Sequence, residues 1–137
     1  MKKYLIGTIV FIAVIIFIVF CRYVSITRET KEESNLESKL TALGSDFYEN
    51  YYYDLLGTNS SEKLQNANIY SSSGIVVNLN EILNYVDDPD SIKSSFINYK
   101  TGDSCDYTNT TITIYPTSPY SKTDYTISTT LVCGFNK

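Results

Sequence analysis

The chain has 137 residues, enough for one domain or for a domain plus an anchor. All 15 acids lie beyond Arg28, where only seven bases accompany them, so residues 29–137 carry a net charge of −8. That balance is too acidic for a phosphate-binding surface, which excludes nucleic acid as a partner, and the absence of histidine removes the usual general base and the commonest metal ligand.

The first element is "YLIGTIVFIAVIIFIVFC", residues 4–21, which holds no charge. At 1.5 Å per residue it reaches about 27 Å, near the hydrocarbon thickness of a bilayer. A lone segment in lipid must satisfy its backbone internally, so the run reads as a transmembrane helix. A cleaved signal peptide would place small residues before the cut, where this chain has Ile18-Val19-Phe20. A lipidated Cys21 would follow a much smaller residue than Phe20. The reading is a retained signal-anchor: tail at residues 1–3, span at 4–24. Lys2 and Lys3 on one side nearly balance Arg22, Arg28 and Lys31 on the other, so flanking charge does not set the orientation.

Residues 25–57 read as an amphipathic helix. Leu36, Leu40, Leu43, Phe47, Tyr51 and Leu55 follow one another at steps of three or four, the spacing of one helical stripe. Tyr48 and Tyr52 flank the stripe, Tyr53 points away from it, and Gly57 marks a stop. Aromatic rings in register with leucines are expected to cover a sheet rather than to form a partner-binding face. Asp46, Glu49 and Asp54 in the same stretch argue against aggregation.

Residues 58–137 read as an α+β region. "SSEKLQNANIYSSSG" is taken as a polar connection. Asn78 and Glu81 have capping-box spacing at the start of a short helix. A second short helix is expected with Asp90 as cap and Ile92, Phe96 and Tyr99 on one face. Asp87, Asp88 and Asp90, with Asp103 or Asp106, make a candidate calcium site, but helix caps and solvated loop acids explain them better, so no cofactor or metal is expected. Asn59 and Asn109 match the glycosylation acceptor pattern. No serine or threonine has a partner for nucleophilic catalysis, so no enzyme is expected.

"TTITIYP" and "DYTISTTLVC" alternate as two strands of a hairpin joined through "PTSPYSK". The apolar faces pair Ile112 with Ile127 and Ile114 with Tyr125, and a β-bulge between Cys105 and Thr110 would bring Cys105 opposite Cys133. A Cys105–Cys133 disulfide would close a 29-residue loop, contribute about 3.6 kcal/mol and place the region in an oxidising compartment.

The layout as a whole is a basic tail, an apolar segment, an amphipathic helix that continues from it and a C-terminal hairpin with two cysteines. It resembles type IV pilins and pseudopilins. The resemblance implies one long N-terminal helix anchored in the membrane and packed on a small antiparallel sheet. It also implies a structural or assembly role, with the bilayer and other pilin-like subunits or surface proteins as partners. The family's leader ends in Gly, with Glu at the fifth position of the apolar segment; here Gly7 is followed by Thr8, and Ile12 takes the fifth place. The expectation is therefore an uncleaved, single-pass cell-membrane protein with its C-terminal domain extracytoplasmic. The alternative is a bitopic surface protein unrelated to pilins, whose ectodomain binds another protein.

Overall fold

The computed structural model describes residues 2–135, with side chains from Ile12 onward. The expected tail and leader positions at Lys2, Lys3 and Gly7 lie outside the described side chains, as does the first half of the expected span. Helix α1 runs Lys2–Phe47, and the chain forms two compact units, Met1–Ser34 and Asn35–Lys137.

In the first unit every side chain from Ile12 to Arg28 is exposed. The transmembrane helix of the expected fold is corrected: among the described residues no helix is long and apolar enough to cross a membrane.

The second unit is α+β. It holds the end of α1, a π turn at Tyr48–Tyr52, and α2 at Tyr53–Leu55. These are followed by α3 (Ser60–Ser73), β1 (Ile75–Asn78), α4 (Leu79–Ile82), α5 (Pro89–Ser95), β2 (Thr111–Pro116) and β3 (Tyr125–Thr130). The three strands form one antiparallel sheet with β2 in the middle. Alternation along β2 buries Ile112, Ile114 and Pro116, and the two isoleucines join Leu36, Leu40, Phe47, Tyr48, Ile82 and Phe96 in one core. Gly44 of the helix sits directly against Ile112 of the sheet. A Cβ there would lie 2.7 Å from Ile112 Cγ2, so the glycine that weakens the helix interior also lets it seat.

The hairpin register differs from the expected one. Ile114 faces Ile127, Ile112 faces Thr129 and Pro116 faces Tyr125. The slip is two residues, which keeps every side chain on its expected face. Its cause is the connection. The Thr117 N–H donates to the Asp124 carbonyl at 2.8 Å, and the Asp124 carboxylate accepts from the Ser121 N–H, so the turn is not centred on Pro119. In place of the expected bulge, Asp106–Thr110 is a tight turn. The Asp106 carboxylate accepts from the N–H groups of Thr108 and Asn109 and from the Asn109 side chain, and the Thr110 N–H donates to the Asp106 carbonyl at 2.8 Å. The Asp106 N–H also donates to the Val132 carbonyl, which brings Cys105 beside Cys133, and the two are joined.

Two loop readings change as well. The expected polar connection is α3, capped by Asn59, whose side chain accepts from the Glu62 N–H. In α5 the cap is Asp88 rather than Asp90, because Pro89 takes the first helical position, where its missing N–H costs nothing.

Candidate interaction site

The expected stripe divides at the π turn. Leu36, Leu40 and Phe47 are buried and Leu43 is half-buried, but Tyr51 is 38% exposed and Leu55 65% exposed. A π turn inserts one extra residue per turn, so the inward face advances by one. Tyr48, Tyr52 and Leu56 take the inward positions. Tyr53, expected to point away, is half-buried. Its hydroxyl donates to the Tyr120 carbonyl at 3.2 Å, and its ring meets Tyr48 edge-on at 5.9 Å.

The inward shift leaves Tyr48 fully buried, with no hydrogen-bond partner for its hydroxyl among the described residues. Burial, reinforced by the neighbouring phenols of Tyr53 and Tyr125, pushes its pKa up to about 12. The outward shift turns Tyr51 and Leu55 onto a cleft of about 430 Å³. Phe47 and Tyr52 also line it, with Tyr70 from α3 and Tyr85 from the turn after α4. The Tyr51 and Tyr85 rings lie 4.0 Å apart at their centroids, tilted by 39°, and Phe47 stands 5.3 Å from Tyr85. Hydrogen bonding to Tyr85, then burial, raises the Tyr51 pKa above the ordinary tyrosine value.

The cleft is also lined by Ile75, Val76 and Val77 of β1, an edge strand of the sheet. Glu81 lies on the rim. One of its carboxylate oxygens accepts the Asn78 N–H at 3.1 Å, completing the capping box that starts α4. Asp46, Asp87 and Asp88 line an adjoining depression that shares Tyr85 with the cleft. The ion pairs Lys63–Asp54 and Lys93–Asp90 involve none of these four acids.

The other expected site residues fall elsewhere. Cys105 and Cys133 are buried at the far end of the hairpin, and Cys21 is free and exposed. Among the described residues no group of three or more acids or cysteines is placed to hold a metal ion. Asp88 and Asp106 are occupied in capping and turn formation. Tyr70, Val76 and Tyr85 were not singled out from the sequence. The short apolar run "GIVVN" was the available signal for β1 and its edge.

Fold and cleft together define an α+β protein with a short, open-edged sheet under an aromatic cleft. No protein family, no curated protein and no solved structure matches the chain.

Proposed function

We propose that this protein is a structural subunit of an extracytoplasmic assembly, a divergent pilin-like component whose N-terminal helix packs against neighbouring subunits. One observation carries the reading. Residues 12–20 are nine consecutive apolar residues, so they cover every side of the helix, and all of them are exposed; Phe17 is 67% exposed. A helix that is apolar all round belongs in a buried setting. Each large side chain covered by a neighbour would contribute about 1.5–3 kcal/mol, a strong drive toward association. The same helix runs on into the core of the second unit through Leu36 and Leu40, as the pilin resemblance implies. The compartment is inferred from Cys105–Cys133, since such a bond persists where the surroundings are oxidising.

Cys21 supplies the test, because it lies beside the apolar run and is free. A short bis-maleimide applied to cells making the full chain is expected to join Cys21 to a thiol on a neighbouring subunit, and Phe17→Asp is expected to abolish the adduct. A chain that stays monomeric under this treatment would contradict the assembly role. Alkylation of Cys105 and Cys133 in freshly isolated, unreduced protein would contradict the compartment.

A further inference from the structure

We propose that the outer edge of β1 and the aromatic cleft beside it form a docking groove for an extended peptide rich in lysine or arginine, taken up as an added strand. This goes beyond assembly through the N-terminal helix and uses only residues of the second unit.

The backbone argument comes first. The Leu79 N–H donates to the Thr110 carbonyl at 2.9 Å, and the register pairs Ile75 with Ile114 and Val77 with Ile112. In an antiparallel ladder, hydrogen-bonded pairs alternate with pairs whose N–H and C=O point away. Ile75, Val77 and Leu79 therefore bond to β2, and Val76 directs its N–H and C=O to the open edge. Neither meets another backbone group among the described residues. Besides being kept short, as β1 is at four residues, natural edge strands are often guarded by lysine, proline or a bulge. The sequence Ile75-Val76-Val77-Asn78 has none of these, and Val76 is 63% exposed.

One residue offers only two main-chain hydrogen bonds, so most of the affinity must come from the cleft. A strand laid along β1 sends alternate side chains to opposite faces, and one set would enter between Tyr51, Tyr70 and Tyr85. Charge identifies the occupant. Glu81 lines the cleft and Asp46, Asp87 and Asp88 line the depression that shares Tyr85 with it, and among the described residues none of the four is in an ion pair. The tyrosine faces attract cations as well. An acidic segment would meet repulsion at each of these points.

The test uses the full chain in mild detergent and a labelled, end-capped probe of alternating lysine and valine, with a glutamate–valine peptide as its control. The basic probe is expected to bind at least about tenfold more tightly than the acidic one. Val76→Pro removes the outward N–H and leaves the β2 pairing intact, a position where an edge strand tolerates proline. It should weaken the basic probe about tenfold, and Tyr85→Ala should do the same, with far-ultraviolet circular dichroism unchanged. Should Val76→Pro fail to fold, a probe N-methylated on alternate residues tests the same pairing from the other side and should bind weakly. Equal binding of the two peptides, no binding of the basic one, or full affinity of the N-methylated probe would overturn the proposal. None of these outcomes bears on cross-linking through Cys21.

Discussion

Residues 12–28 and residues 36–47 belong to one helix and are both rich in apolar side chains, yet those of the first set are exposed and those of the second are largely buried. The difference lies in arrangement. Between 12 and 20 the apolar residues are consecutive, and no single face is singled out for the chain's own sheet. From Leu36 they recur every three or four residues, and that stripe meets Ile112 and Ile114. A stripe specifies a partner inside the fold, whereas a cylinder asks for one outside it.

Point substitutions sharpen this contrast most. Phe47→Ala is expected to cost about 3–5 kcal/mol, the range for emptying a buried aromatic site. Ile16→Ala, in the exposed run, should stay within about 0.5 kcal/mol. Denaturant melts of the full chain read both, and similar losses at the two sites would erase the distinction between the regions.

The cysteines divide in the same way. Replacing Cys105 and Cys133 together with alanine should lower stability by about 3.6 kcal/mol, because the open loop regains its freedom in the unfolded chain. Cys21→Ser should leave the melt unchanged, since Cys21 is exposed and bonded to neither. A loss at Cys21 comparable to that of the pair would place the N-terminal run inside the folding unit.

A smaller effect comes from Tyr48, whose hydroxyl is buried without a partner among the described residues. Its phenol titrates near 10 when unfolded and near 12 when folded, so its contribution is whole below pH 10 and is lost as pH rises through 12. The loss is about 2–3 kcal/mol at most. Tyr48→Phe should flatten the fall in stability between pH 10 and 12. It should also raise stability at neutral pH by about 1 kcal/mol, by removing an unsatisfied group. An unchanged slope would show that the hydroxyl reaches water.

Much of the second unit was legible in the sequence. The stripe from Leu36 to Phe47, the capping box of Asn78 and Glu81 and the two hairpin strands all rest on local spacing, and local spacing survives into the fold. What the sequence hid depends on geometry that carries no residue signature. The π turn at Tyr48–Tyr52 has no signature in its residues, and its single extra residue moved Tyr51 and Leu55 from core to cleft. Helix α3 has only Ala67 fully buried, so its apolar pattern was too faint to distinguish it from a loop. The strand β1 is four residues long and its apolar run is shorter still, so the edge it leaves open could not be placed beside Tyr85 without the fold. The uncharged length from Tyr4 to Cys21 suggested a membrane span, and among the described residues no helix is long and apolar enough to be one.

The most direct test of the whole account is a denaturant melt of a fragment that starts at Thr30, measured against the full chain under the same conditions. If residues 36–135 carry the fold and the exposed apolar run serves contacts with other chains, the fragment melts cooperatively. Its unfolding free energy should then lie within about 0.5 kcal/mol of the full chain's. A fragment that fails to fold, or that loses several kcal/mol, would contradict the division of labour on which the proposed assembly role rests.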